Sequence, residues 1–173
     1  MSEIKIENLS GINLETKKET KIEYLALNEN SLKTIDELNS LFPNWKREHV
    51  LKKIQDTINK KDYRFVAKSK GTIIAHVKVN LKKSIHEHIA DISSLIVLDE
   101  FRRKGIGLNL MKYALSKLPV QIKLVTLAVD NKNKKAIKLY KKMGFVKYGL
   151  LKKGSKINKK FVDNYLMYKE IKK

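Results

Sequence analysis

The sequence predicts a mixed α/β sandwich, and three observations carry that reading. Helical and strand-like hydrophobic periods alternate along the whole chain instead of segregating into blocks. A strand–helix–strand run across residues 88–129 calls for a right-handed crossover, which pairs its two strands in parallel. The 173 residues, 42% of them hydrophobic, fit one domain with its own core and a short appendage. No repeat, proline-rich linker or low-complexity block divides the chain. Residues 21–173 therefore read as a single domain, and residues 1–20 as an N-terminal arm or extra strand.

Each element has its own warrant. In the arm Ile4, Ile6 and Leu9 alternate weakly before the polar Glu15–Thr20 stretch. Lys21–Leu27 is the first core strand. Ser31 suits a helix N-cap, and Leu32, Ile35, Leu38 and Leu41 follow at helical spacing until Pro43 stops the helix. A second helix carries Val50, Leu51, Ile54 and Ile58 on one stripe. Tyr63, Phe65 and Ala67 then alternate with Arg64, Val66 and Lys68, and Ser69–Lys70–Gly71 turns the chain back. On the return strand Ile73, Ala75, Val77, Val79 and Leu81 share one face, opposite His76, Lys78 and Asn80. A third strand lies within His88–Leu98. Gly105–Leu118 is apolar over more than half its circumference, as a helix buried against a sheet should be. Val120–Val129 reads as a strand covered on both faces. Lys132–Met143 is an amphipathic helix with Ala136, Ile137, Leu139, Tyr140 and Met143 inward, and Gly144 falls at its C′ position. Phe145–Leu151 and Lys160–Ile171 close the chain as a long hairpin.

Composition excludes several chemistries. The absence of cysteine removes disulfides, iron–sulfur clusters, thiolate zinc sites and any acyl-cysteine intermediate, and no metal is expected. Met1–Lys21 lacks the apolar segment of a signal peptide, and the longest apolar run is Leu95–Leu98. The expectation is a soluble, cytoplasmic protein with no membrane partner. Lysine and arginine number 38 against 18 acids, a net charge of +20, yet only Arg47, Arg64, Arg102 and Arg103 are arginines. The lysines are spread from end to end, whereas a nucleic-acid groove clusters charge and draws on arginine and aromatics. Solvated lysine faces are the simpler reading, and nucleic acid is not the expected partner. The summed field still favours anionic ligands.

The informative stretch runs from Leu95 to Leu108, where an apolar strand turns through charged residues and enters a helix across Gly105 and Gly107. Glycines let main-chain N–H groups crowd an anion, and a helix N-terminus adds partial positive charge. The same glycines also serve plain turn geometry. A Walker-type loop is absent, and the dinucleotide fingerprint fails because Leu110 stands where its third glycine belongs. A second motif follows on the next helix, Asn133-x-x-Ala136-x-x-x-Tyr140-x-x-x-Gly144-Phe145.

Together these two motifs, in this order, resemble the GNAT superfamily of N-acetyltransferases from about Ile89 to Phe145. Arg102, Gly105 and Gly107 match its acetyl-CoA signature, Arg or Gln-x-x-Gly-x-Gly or Ala. Val97–Phe101 is similar to its V-x-P-E-Y/F strand exit, with Asp99 where proline is common. The ending Phe161-Val162-Asp163…Met167 also resembles many members. The resemblance implies a mostly antiparallel sheet with a parallel, V-shaped split and helices on both faces. Acetyl-CoA would lie in that split, between the end of strand 89–98 and strand 120–129. It implies pantetheine contacts from the main chain of Leu95, Ile96 and Val97. Pyrophosphate contacts would come from Arg102, Arg103, Lys104, Gly105, Ile106, Gly107 and Leu108, and Asn133 would reach the pantetheine arm. An ordinary N-cap is the other reading of Asn133.

The resemblance also implies that the Tyr140 hydroxyl assists the leaving CoA sulfur, although a tyrosine on an apolar stripe also reads as core. A thiol near 8.5 and a phenol near 10 make full proton transfer uphill by roughly 2 kcal/mol, so hydrogen-bond donation is the safer role. The implied reaction is direct acetyl transfer to an amine, of a small molecule or a protein, in a ternary complex. A general base is needed, and His86, Glu87, His88 and Asp91 lie before or within the strand. Glu87 and Asp91 are the candidates, and all four also read as exposed strand-end residues. Phe42 and Trp45, flanking Pro43 between the first two helices, would wall the acceptor site or plug the sheet. If the acceptor is cationic, Asp36, Glu37, Glu87 and Asp91 are the acids available to recognise it. Two rival functions stay open: a basic nucleic-acid-binding module, and a GNAT-like acyl-CoA-binding domain without turnover. The oligomeric state is open too, a homodimer included.

Overall fold

The computed structural model describes residues 21–28, 38, 41–42, 46–59 and 62–172. Residues 1–20, the helix start at Ser31 with Leu32 and Ile35, Asp36, Glu37, and the Pro43–Trp45 stretch lie outside the described residues. Seven strands form one sheet: β1 (Ile22–Ala26), β2 (Asp62–Ser69), β3 (Thr72–Leu81), β4 (Ile89–Val97), β5 (Leu124–Asp130), β6 (Val146–Ile157) and β7 (Lys160–Glu170). Their order is β1-β2-β3-β4-β5-β7-β6. All neighbours are antiparallel except β4 and β5, which pair in parallel as the crossover requires. The helices are α1 (Arg47–Ile58), α2 (Ile106–Lys117) and α3 (Lys134–Lys142).

The main core lies under α2. Ile106, Leu110, Met111, Ala114 and Leu115 pack on Phe65, Ala75, Val77, Val79, Ala90 and Ile92 of the sheet. A second, smaller core on the opposite face joins Leu38, Leu41, Val50 and Ile54 to Val66 and Ile73. Both faces of β2 and β3 are thus covered, and this corrects the expected pattern of the return strand. Ile73 does not share a face with Ala75, Val77 and Val79, because the β2–β3 register shifts between Ala67 and Lys68. His76 does face away from Val77, yet it is buried rather than solvated, with its ring 5.3 Å from that of Phe42.

Burial of His76 requires partners. Its Nε2 stands 3.3 Å from Nη1 of Arg64, whose Nη2 donates to Asp62 Oδ2 at 3.1 Å. Lys78 Nζ reaches the same carboxylate at 3.2 Å, and the Thr57 hydroxyl donates to its other oxygen at 2.6 Å. Arginine can only donate, so His76 accepts at Nε2 and carries its proton on Nδ1. Burial, with Arg64 and Lys78 adding positive charge, pushes the His76 pKa down to about 3.

Two further boundaries differ from expectation. Strand β5 starts at Leu124 rather than Val120, since Pro119–Gln121 form a turn that leaves Val120 exposed. Nor is β5 covered on both faces: Val125, Leu127 and Val129 are buried while Ala128 is exposed. Strand β6 runs on to Ile157, six residues past Leu151, because Asn158 and Lys159 both adopt positive φ and close a two-residue hairpin with β7.

The buried histidine makes acid stability testable. Unfolded, His76 takes a proton below about pH 6.5, whereas folded it stays neutral down to about 3. Its contribution is therefore complete above 6.5 and is lost as pH falls toward 3, a window worth roughly 5 kcal/mol. His76→Gln keeps an acceptor for Arg64 and cannot titrate. Urea unfolding between pH 7 and 4 should show a shallower acid decline for this variant than for wild type.

Candidate active site

The parallel ladder between β4 and β5 has only four rungs, Ile89↔Leu124 to Ile92↔Leu127. Beyond it the strands part. The cause is local, since the β3–β4 register shifts so that Ser93 is an extra residue opposite Lys78 and Val79. Such a bulge bends its strand, and here it turns the outer half of β4 away from β5. The edge of Ser93–Val97 that faces β5 is thereby left without ladder partners, while the other edge remains paired to β3 through Val97. A V-shaped split between parallel strands is thus present. Leu95, Ile96 and Val97 offer main-chain groups along one wall of it.

The mouth of the split is built by the strand exit. Arg102 Nε donates to the Val97 carbonyl at 2.9 Å, and its Nη2 meets Asp99 at 2.7 Å. This guanidinium braces the turn against the strand end. Arg103 (φ 63°) and Gly105 (φ 77°) both take the left-handed conformation, and Gly105 then caps α2. A Cβ on Gly105 would meet nothing within 4 Å, so its requirement is conformational, and space is open beside it. Gly107 has the other requirement. A Cβ there would lie 3.4 Å from Val97 and 3.6 Å from Leu139, so its smallness lets α2 approach both the split strand and α3. The first turn of α2 contains no acid, and Arg103 and Lys104 are exposed beside it. An anion placed here would meet free helix N–H groups and positive charge.

On the other side of the split α3 begins at Asn133, whose Oδ1 accepts from the Ala136 N–H at 3.1 Å. Asn133 is therefore an N-cap, and only its Nδ2 remains to donate elsewhere. Helix α3 ends in a Schellman cap: Phe145 N–H donates to the Tyr140 carbonyl at 3.0 Å and Gly144 N–H to that of Lys141 at 2.9 Å. Gly144 takes φ 84° as that cap requires, and the rings of Phe145 and Tyr140 meet edge to face at 5.9 Å. Tyr140-x-x-x-Gly144-Phe145 is thus a positioning device for Tyr140. The tyrosine is buried. Burial pushes its pKa up to about 12, which keeps it protonated at neutral pH. Relative to a thiol near 8.5, full proton transfer now costs about 5 kcal/mol, so the hydroxyl is fitted for hydrogen-bond donation.

The two candidate bases fare differently. Asp91 lies on β4 one residue before the last rung, opposite Thr126, whose hydroxyl donates to Asp91 Oδ1 at 3.0 Å. Glu87 lies in the exposed turn before β4, at the closed end of the ladder and away from the split. His86 and His88 share that exposed position. The structure therefore keeps Asp91 beside the apex and separates the others from it. Phe42 packs in the second core, against His76 and beside Val50 and Ile54, as a plug on the sheet. Trp45 lies outside the described residues. Among the described residues no cluster of potential metal ligands occurs, and no helix is long and apolar enough to cross a membrane. Sequence reasoning missed Thr126, because a polar residue inside an apolar strand signals a partner only once the register is known.

Comparisons with known proteins agree with this geometry. The model of the acetyltransferase (GNAT) family matches residues 32–145. A comparison with curated proteins gives no match. Among solved structures the chain is similar to an acetyltransferase of the GNAT family from Streptococcus pneumoniae, at 21% identity and TM-score 0.75. That match covers 87% of this chain and 100% of that one. It is also similar to the ribosomal-protein-alanine N-acetyltransferase from Brucella melitensis, at 17% identity and TM-score 0.72, covering 87% and 99%. A third similar structure is Arabidopsis thaliana NAA60 in complex with acetyl-CoA, at 23% identity and TM-score 0.66, again covering 87% and 99%. At these identities the structural likeness speaks for the fold.

A carboxylate in the cradle separates its conformational and electrostatic roles. Gly105→Glu should fold with a loss of about 1–2 kcal/mol from the left-handed backbone. It should also weaken binding of a pyrophosphate-bearing ligand at least tenfold, as read by calorimetry. A stability loss with unchanged affinity would reduce Gly105 to turn geometry.

Proposed function

This chain belongs to the acetyltransferase (GNAT) family, and from that premise we propose that it transfers acetyl from acetyl-CoA directly to an amine in a ternary complex. The observation that carries the proposal is the four-rung ladder with its bulge at Ser93. It opens a split with the main chain of Leu95–Val97 along one wall and the Gly105 turn at its mouth, and α3, which carries Tyr140, follows the other strand of the split in sequence. These groups suit the co-substrate: extended amides against a free strand edge, diphosphate against helix N–H groups, and the thioester towards the apex. When bound, acetyl-CoA supplies an activated acetyl thioester.

The chain's own residues would do the rest. In this reading the Arg103–Leu108 amides hold the diphosphate, with Arg102 bracing the turn that presents them. Asn133 Nδ2 donates to the pantetheine arm. Asp91 takes the acceptor's proton. An alkylammonium near 10.4 has no lone pair and does not yield its proton to a carboxylate, so the acceptor attacks as the free amine, and Asp91 takes the proton that its nitrogen sheds as the N–C bond forms and the nitrogen turns acidic. As the C–S bond breaks, Tyr140 donates a hydrogen bond to the departing sulfur. Without cysteine the chain offers no acyl-thiol relay, which favours direct transfer.

The proposal is tested by CoA release against a broad amine panel, together with the melting temperature in millimolar acetyl-CoA. Saturating ligand should raise the melting temperature by mass action. Amine-dependent CoA release should follow. No thermal response and no turnover would overturn the reading.

Two variants divide the chemistry. Tyr140→Phe should lower kcat by about 100-fold or more while the acetyl-CoA dissociation constant stays within about twofold. Asp91→Asn should lower kcat by about 100-fold and leave acetyl-CoA affinity intact. Wild-type rates in either variant would return that residue to a structural role.

A further inference from the structure

We infer that the open half-sheet beside the apex of the split is an acceptor platform selective for aliphatic amines carrying a second positive charge; this rests on the transferase reading above. On the face opposite α2 the strand registers align Asn80, Asp91, Thr126, Tyr168 and Val146 in one row. Their sequence neighbours Ala90, Ile92, Val125, Leu127 and Met167 belong to the main core, so the row faces the other way. It lies one residue from the last rung, Ile92↔Leu127, where the two strands part.

Charge and aromatic character together select the occupant. The chain holds 34 lysines, that is 38 lysine plus arginine less four arginines. Yet among the described residues no cation lies within ion-pair distance of Asp91, whose one hydrogen-bond partner is the Thr126 hydroxyl. Lys78 does share this face, but its ammonium is engaged by Asp62. Further along the row the rings of Tyr148 and Tyr168 meet at 5.8 Å and 70°, with Tyr148 57% exposed. Glu170 lies two residues on from Tyr168, exposed and without an ion-pair partner among the described residues. Aromatic faces attract cations, and an adjacent carboxylate reinforces them. Strands lie about 4.8 Å apart, so Asp91 and Tyr168, two strands apart, are separated by about 10 Å. A reacting nitrogen at Asp91 and a second ammonium over the tyrosine pair fit that separation in an extended alkyl diamine. The apolar chain between them would cross Thr126 and the exposed flank of β7.

Diaminooctane spans the platform, and octylamine is the same chain with one charge. Titrated calorimetrically into the full chain saturated with CoA, diaminooctane should bind about five- to tenfold more tightly than octylamine. Tyr148→Ala and Glu170→Gln, both at exposed positions that spare the fold, should each weaken the diamine about two- to fivefold and leave octylamine unchanged. Equal binding of the two amines, or a diamine affinity untouched by both variants, would overturn the platform. Turnover separates the two levels. Diamine binding without any CoA release leaves the platform standing and refutes the transferase reading. CoA release with octylamine as efficient as with the diamine refutes the platform and leaves the transferase.

Discussion

Two antiparallel blocks of sheet, β1 to β4 on one side and β5, β7 and β6 on the other, are joined by one short parallel ladder. The rest of the architecture follows from its length. If β4 kept its register through Ser93 it could pair with β5 to the end, and there would be no gap to bind in. One extra residue ends the ladder after four rungs. The core makes this tolerable, because Ala90 and Ile92 on one side of the seam and Val125 and Leu127 on the other are buried in one hydrophobic cluster. Hydrophobic burial on one face thus supports a sheet deprived of hydrogen bonds on part of an inner edge.

The mouth of the split is then set by backbone conformation together with the Arg102 guanidinium that braces it. Arg103 and Gly105 take left-handed φ where α2 begins after the strand exit, and Gly144 takes it where α3 ends after Tyr140. The polar network of Asp62, Arg64, His76, Lys78 and Thr57 lies on the opposite face. Its one negative group is shared among three donors, and breaking such a buried set typically costs 3–5 kcal/mol (about that order). Stability and binding therefore occupy different strands of the same sheet.

Much of this was legible in the sequence, for definite reasons. Elements with a strong period, such as α2, α3 and β4, fall within one or two residues of their expected ends. The glycines at 105, 107 and 144 marked the places where backbone conformation or close approach is required. What stayed hidden depends on pairing. The bulge that places Ile73 on the other face and the one that opens the split are properties of two strands, so neither sequence segment alone contains them. His76 looked solvent-facing because alternation cannot reveal a second core contributed by residues 38–54. The Asn158–Lys159 turn lacked the usual glycine, which hid the true length of β6. Asp91 and Glu87 were equivalent as letters, and only the position of the ladder separates them.

The outer strand β6 gives the lysine excess a colloidal meaning. Among the described residues it ends the sheet with one edge unpaired, and it displays Val146, Tyr148, Leu150 and Leu151 to solvent. An unpaired edge with that composition invites a neighbouring molecule to add its own strand and continue the sheet. Lys147, Lys152, Lys153 and Lys156 interrupt the display, and the register breaks at 147/149 and 151/155 bend the edge out of line. Some of these cations also lie over rings, Lys147 on Tyr165 and Lys156 on Phe161, holding charge close to apolar surface. The spread lysines that argued against a nucleic-acid groove thus place charge along an exposed strand, where charged side chains oppose the addition of a further strand.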